Sequence, residues 1–362
     1  MESDTEHNQD EGSSITPLST EEAIAVSTQS PAELEKMLQQ ADKYLAGQRW
    51  SQAEQIFQEL LSHNTHDEAA LQGLAQAYDA LNRHDDLLST AQSILEISPN
   101  SAQGLAYKAR ALQKLERLSE ATIANDQALL LDNTLGLAWI NRSGLQLLQQ
   151  KFPEALRNAQ RAVELAPNDP RSWANKGVAL LNFGRLLEAL EAFNQSLTHD
   201  PNGIFSLQMK GEILCKLGRL QEALPVIQHG LSINSTNVTS LIQGIQTSRA
   251  LEMYELLTEY ARQLTTLTPK NPFAWDNYMR GHRGLGQFEE ANEALDQLLA
   301  LDPSSVRTWT LKADTLYRLG RYREATAIAE KALRIDQGYS PAHRIHEKAV
   351  KLMYQRKEKK KT

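Results

Sequence analysis

The chain has 362 residues, a net charge of −7, 41% hydrophobic residues and a single cysteine, Cys215. One cysteine excludes an internal disulfide, which fits a reducing compartment. The sequence has no apolar run long enough to span a bilayer, and its first residues lack the basic start and apolar core of a secretion signal. These features predict a cytoplasmic protein without a membrane span.

The charges are distributed unevenly along the chain. Residues 1–35 carry nine Asp or Glu and no Lys or Arg, whereas residues 340–362 carry eight basic and two acidic residues. The part between them is mildly acidic, which argues against nucleic acid or an anionic membrane as a ligand of the whole body. Residues 1–29 contain few large apolar residues, so we predict that this acidic segment is disordered.

A period of 34 residues organises most of the chain, and the stretch Pro170–Gly203 is its clearest copy. Small residues dominate the eighth and twentieth positions of the units, bulky residues recur at the fourth and twenty-fourth, and proline recurs at the thirty-second. Each unit is predicted to form two amphipathic helices, and neighbouring units must stack to bury their apolar faces. The nine units are 34–67, 68–101, 102–135, 136–169, 170–203, 204–237, 238–271, 272–305 and 306–339.

This spacing of Trp, Gly, Ala, Phe and Pro resembles the tetratricopeptide repeat. The resemblance implies an all-α fold, a right-handed superhelical solenoid of helix-turn-helix repeats over residues 30–339. It also implies a capping helix at 340–354, before a basic tail at 355–362. The pentatricopeptide repeat, which binds RNA, typically has a step of 35 residues and lacks this pattern.

Members of this family bind peptides in a concave groove lined by the first helices, so the resemblance implies a non-enzymatic scaffold or adaptor for a protein or peptide partner. It assigns positions 2, 5, 6, 9, 12 and 13 of each unit to the groove or its edge. Five of the nine units have a side-chain amide at position 6, and an amide can both donate and accept hydrogen bonds to a peptide backbone. This row is similar to the asparagine ladder in the solenoid of O-linked N-acetylglucosamine transferase.

Basic residues in the third and eighth units are expected to attract acidic partner segments. The alternative is that the amides belong to the repeat consensus and that the charges form solvated helix faces. The candidate peptide-binding residues are Asn141, Asn175, Gln243, Asn277, Arg110, Lys114, Arg280 and Arg283.

The sequence predicts no catalytic residue, small-molecule substrate, cofactor or metal site. The pairs His63 with His66 and His343 with His346 each lack a third convergent ligand. An alternative function is binding of nucleic acid or an anionic surface through the basic tail, which would show steep salt dependence. Self-association of the acidic and basic ends is a third hypothesis.

The seventh unit departs most from the repeat. Ile245 and Leu257 replace the small residues at its two close-contact positions, Glu252 replaces a turn glycine, and Met279 follows in the eighth unit. Because overpacking forces backbone shifts, we predict an altered superhelical pitch over residues 238–286.

Overall fold

A computed structural model describes the backbone of residues 30–358 and the side chains of residues 30–355. All regular secondary structure within this range is α-helical, in nineteen helices. The predicted disordered segment, residues 1–29, and the last part of the predicted basic tail, residues 359–362, lie outside the described residues.

The helices form two compact units, which divide after Leu131. In the first unit the helices are α1 (Pro31–Ala46), α2 (Trp50–His63), α3 (Glu68–Ala80), α4 (His84–Ile97), α5 (Ala102–Lys114) and α6 (Leu118–Leu131). In the second unit they are α7 (Gly136–Leu148), α8 (Phe152–Leu165), α9 (Pro170–Asn182), α10 (Leu186–His199), α11 (Ile204–Lys216), α12 (Leu220–Ile233), α13 (Val238–Ala250), α14 (Tyr254–Leu267), α15 (Pro272–Gly284), α16 (Phe288–Leu301), α17 (Val306–Arg318), α18 (Tyr322–Ile335) and α19 (Ser340–Glu358).

The starts of the helices keep the period of 34 residues. From α3 onward, the first helix of each pair begins on the first residue of a predicted repeat, as Glu68, Ala102 and Pro170 illustrate. Within each compact unit consecutive helices pack together, and some first helices also contact the next first helix, as α3 contacts α5 and α11 contacts α13. The predicted all-α, helical-repeat fold is confirmed.

Hydrogen bonds to the residue at position 32 of the preceding repeat explain why tryptophan recurs at position 4. The Nε1 of Trp173 donates to the carbonyl oxygen of Pro167 at 2.7 Å. The same bond joins Trp139 to Asn133, Trp275 to Pro269 and Trp309 to Pro303. The indole therefore connects the first helix of one repeat to the loop that precedes it. The pattern of residue types does not reveal this role.

The turn between the two helices of every repeat requires a residue in the left-handed region. Four turns have glycine there, as at Gly184 with a φ of 68°. A non-glycine residue in this conformation costs roughly 1–2 kcal/mol. Five turns nevertheless have one, with φ between 54° and 62°, at Gln48, Asn82, Glu116, Gln150 and Glu252.

The seventh and eighth repeats bury the large residues that replace small ones at the close-contact positions. Ile245 is fully buried and Met279 is 1% exposed. Glycines at other positions allow the helices to approach: a Cβ on Gly284 would lie 2.3 Å from the ring of Tyr254. This glycine contact joins α14 to α15, and the altered pitch over residues 238–286 stays a prediction.

Helix α19 packs against α17 and α18 at the end of the array. Ala349 is fully buried and joins a cluster with Leu316 and Ala325. The helix continues to Glu358, past Tyr354, and so extends into the segment that the sequence assigns to the basic tail.

Candidate peptide-binding site

A cavity of about 470 Å³ opens on the first helices of the seventh, eighth and ninth repeats, α13, α15 and α17. Its volume is within the range typical of ligand pockets. Five arginines contribute to it, and no lysine does. The lining residues are Arg249, Glu252, Tyr254, Leu257, Met279, Arg280, Arg283, Gly284, Phe288, Arg307, Leu311 and Arg318.

Asp276 on α15 holds two of the arginines. The Nε of Arg280, one turn further along the same helix, donates to Asp276 Oδ2 at 2.6 Å. Arg307 on the neighbouring helix α17 places its Nη2 3.6 Å from Asp276 Oδ1. The carboxylate therefore lies between two guanidinium groups from successive repeats.

Asp314 on α17 repeats this arrangement in the opposite direction. It accepts a hydrogen bond from Nη2 of Arg283 on α15 at 2.5 Å, and another from Nε of Arg318 on its own helix at 3.1 Å. Arg283 also donates to the carbonyl oxygen of Leu311 at 3.2 Å and to the hydroxyl of Thr315 at 2.9 Å. These bonds hold the Arg283 side chain in one orientation.

The cavity carries an excess of positive charge. The fifth arginine, Arg249, donates to Oδ1 of Asn277 at 3.1 Å. Besides Asp276 and Asp314, Glu252 contributes a third carboxylate at the cavity. Five arginines against three carboxylates leave two positive charges uncompensated. The side chains of Arg307 and Arg318 are 60% and 52% exposed, so they present N–H groups to solvent.

The floor of the cavity is apolar. The partly buried side chains of Tyr254, Phe288 and Leu311 supply the apolar surface. Leu257, which is fully buried, and Met279, which is 1% exposed, present almost no surface to solvent. The guanidinium of Arg318 lies 5.6 Å from the ring centroid of Phe288. The cavity therefore combines a cationic rim with an apolar floor.

The sequence identified two of these five arginines, Arg280 and Arg283, and the structure brings them together. It missed Arg249, Arg307 and Arg318, which occupy positions 12, 2 and 13 of their repeats. The resemblance had assigned these positions to the groove or its edge. A comparison of charge at those positions in three successive repeats would have found the cluster.

The other predicted basic pair lies in the first unit, on α5. Nε of Arg110 is 3.0 Å from Oδ1 of Asp79, and Lys114 follows one turn later. Burial lowers the pKa of the nearby His84, and the positive charges of Lys114 and Arg110 lower it further. This pair belongs to a different compact unit from the arginine cavity.

The predicted amides are largely turned into the protein. Asn141 and Asn277 are fully buried, and Gln243 is 9% exposed. Nδ2 of Asn277 donates to the carbonyl oxygen of Phe273 in its own helix at 2.8 Å. Peptide binding by this row stays a prediction, and these three side chains would have to rearrange to take part.

Two amides connect first helices of successive repeats. Nδ2 of Asn175 donates to the carbonyl oxygen of Ile140 at 3.0 Å and to the hydroxyl of Ser143 at 2.8 Å. Nε2 of Gln243 donates in the same way to the carbonyl oxygen of Gln208 at 3.2 Å. In both cases position 6 bonds to the backbone at position 5 of the preceding repeat, which gives the amide a structural role.

Two kinds of feature are absent from the residues that the structure describes. No group of three or more His, Cys, Asp or Glu side chains is arranged there to hold a metal ion. None of the described helices has the length and hydropathy needed to cross a membrane.

Family models for the tetratricopeptide repeat match the chain in both compact units. One model matches residues 38–102 and 145–204, and a second matches residues 282–349. Together they cover just over half of the chain. The chain belongs to the tetratricopeptide repeat family. Such repeats generally mediate protein–protein interactions.

The chain is similar to solved structures. A structure of PilF from Pseudomonas aeruginosa is 22% identical, with a TM-score of 0.50 over 60% of this chain and 96% of that chain. The Cut9–Hcn1 hetero-tetramer of the APC/C is 16% identical, with a TM-score of 0.48 over 90% of this chain. This tetratricopeptide chain spans 57% of that chain's length. No curated protein sequence matches it.

Proposed function

We propose that the chain is a non-enzymatic scaffold or adaptor that binds an acidic peptide or protein segment in the arginine-lined cavity on α13, α15 and α17. One observation carries the proposal: five guanidinium groups from three successive first helices converge on one cavity with an apolar floor. The rest of the body is mildly acidic, so the positive charge of this cavity makes it the candidate site for an acidic segment.

Arginine suits this role better than a compact cation. Its planar guanidinium presents five N–H donors, which match a carboxylate in a bidentate arrangement. Asp276 and Asp314 each engage Nε of one arginine, so other N–H donors of Arg280 and Arg318 remain for a ligand. The partly exposed position of these groups strengthens their interactions relative to bulk water.

The test begins with a selection of random peptides on the full chain, followed by fluorescence anisotropy with the best peptide. We expect the selected peptides to be enriched in Asp and Glu. The double variant Arg249→Ala, Arg307→Ala should weaken binding at least about tenfold, which corresponds to about 1.4 kcal/mol. Both residues lie at the rim, so their loss leaves the apolar floor intact.

The matched control removes the same charge elsewhere. Arg157 and Arg161 lie on α8, the second helix of the fourth repeat, and pair with the exposed Glu154 and Glu164. The variant Arg157→Ala, Arg161→Ala should bind as the wild type does. Deletion of residues 355–362 should also leave binding intact, whereas a ligand of the basic tail would be lost. Selected peptides without acidic enrichment would contradict the proposal.

A further inference from the structure

The arginine cavity contains two separate anion positions, one at each end of the contact between α15 and α17. Arg280 and Arg307 share Asp276 at one end. Arg283 and Arg318 share Asp314 at the other end. Each aspartate occupies the place between two guanidinium groups that a carboxylate favours, and each leaves donors of those arginines exposed.

The distance between the two positions follows from helix geometry. Arg307 and Arg318 are the exposed members of the two groups, and both lie on α17, eleven residues apart. At a rise of 1.5 Å per residue this places their Cα atoms about 16 Å apart along the helix axis. An extended peptide rises about 3.3 Å per residue, so about five residues span the same distance.

An apolar surface lies between the two positions. Leu311 is on α17 between Arg307 and Arg318, and it is partly buried at the cavity beside Met279. A ligand that places carboxylates at both ends therefore carries its central residues over this surface. A bulky apolar side chain at that point would bury area that is now exposed to water.

We infer that the cavity recognises an internal peptide motif with two acidic residues four or five positions apart and one bulky apolar residue between them. This inference rests on the proposed function and adds its spacing and its apolar element. No terminal carboxylate is required, because both anion positions are filled by side chains. The arginines select the spacing of the two acidic residues, and the apolar surface around Leu311 selects the apolar residue between them.

A series of amidated, fluorescein-labelled peptides tests the spacing. Each peptide has ten residues, two Glu placed two to eight positions apart in a Gly-Ser background, and one Leu between the two Glu at or next to the midpoint. We expect affinity for the full chain to be highest at a spacing of four or five and to fall at least fivefold at a spacing of two. Replacement of the central Leu by Ser should also weaken binding.

Variants of the protein assign each carboxylate to its arginine group. In Arg307→Ala one Glu of the best peptide should lose its contribution, so that its change to Gln has no further effect. In Arg318→Ala the other Glu should behave in this way. The control variant Arg157→Ala, Arg161→Ala should preserve the effect of both changes to Gln.

The outcomes separate this inference from the proposed function. Affinity that depends on the number of Glu residues but not on their spacing overturns the inference and leaves acidic-peptide binding in place. Equal effects of both Glu changes in Arg307→Ala and Arg318→Ala also overturn it. Absence of binding by every acidic peptide, including those from random selection, overturns both.

Discussion

The contact between Phe57 and Gly73 predicts how a larger residue at position 73 would change the free energy of unfolding. The sign of that change depends on two opposing effects. A Cβ added at Gly73 in α3 would lie 2.1 Å from Cζ of Phe57 and within 2.6 Å of two more ring atoms. Phe57 is fully buried, so its ring cannot move into solvent. Overpacking of a core typically costs about 1–3 kcal/mol, and three short contacts favour the upper end.

The opposing effect is helix propensity. Alanine is about 1 kcal/mol more favourable than glycine inside a helix. For Gly73→Ala we therefore expect a net loss of about 1–2 kcal/mol in the free energy of unfolding. Gly230 in α12 provides the matched control, since a Cβ there would meet its nearest neighbours at 3.8 and 3.9 Å. Gly230→Ala should stabilise the protein by about 0.5–1 kcal/mol through propensity alone.

Urea unfolding followed by circular dichroism at 222 nm measures both changes. Hydrogen exchange in α2 and α3 localises the first change, because a repeat array need not unfold in one step. The smaller side chain in Phe57→Leu should relieve part of the cost in the double variant with Gly73→Ala. Equal stabilisation by Gly73→Ala and Gly230→Ala would refute the argument, as would a double variant whose losses simply add.

Two further predictions concern a hydrogen bond and a titration. Asn175→Ala should lower the free energy of unfolding, measured in urea, by about 1–3 kcal/mol, because Asn175 bonds to the carbonyl of Ile140 and to Ser143. The control Asn182→Ala removes only a bond within an exposed helix end, so it should change the free energy of unfolding by less than about 0.5 kcal/mol. The pKa of His84 is lowered from 6.5 in the fold, so the folded state binds fewer protons and stability should fall as the pH drops from 7.5 to 5.5. His84→Gln should flatten this dependence, and an unchanged slope would contradict it.

The repeat period was readable from the sequence because it depends on residue size at fixed positions. It placed the start of each helix pair, and the structure confirms those starts at Glu68, Ala102 and Pro170. The bonds from tryptophan indoles were not predictable in this way, since Trp173 and Pro167 appear in the sequence as two unrelated bulky or rigid residues. Their contact depends on how a loop returns to the next helix.

The candidate site was only partly predictable for a related reason. Arg280 and Arg283 were visible as a local basic pair. Arg307, which shares Asp276 with Arg280, and Asp314, which pairs with Arg283, lie in the next repeat. The crosswise pairs require α15 and α17 to be adjacent with a particular axial offset, which charge patterns in one helix do not contain. The hydrogen bond that Asn277 accepts was hidden for the same reason, because its donor Arg249 lies in the preceding repeat.

The left-handed turn residues have a consequence for the order of folding. The first four repeats have non-glycine residues at this position, whereas Gly184, Gly218, Gly286 and Gly320 serve four of the last five. Forming a turn with a non-glycine residue therefore costs roughly 1–2 kcal/mol more than forming one with glycine. Folding of a repeat array can nucleate at any repeat and spread to its neighbours, so the cheapest nucleus lies where glycine turns are adjacent. We therefore expect the repeats with adjacent glycine turns, at Gly184 and Gly218 or at Gly286 and Gly320, to form before the first four repeats.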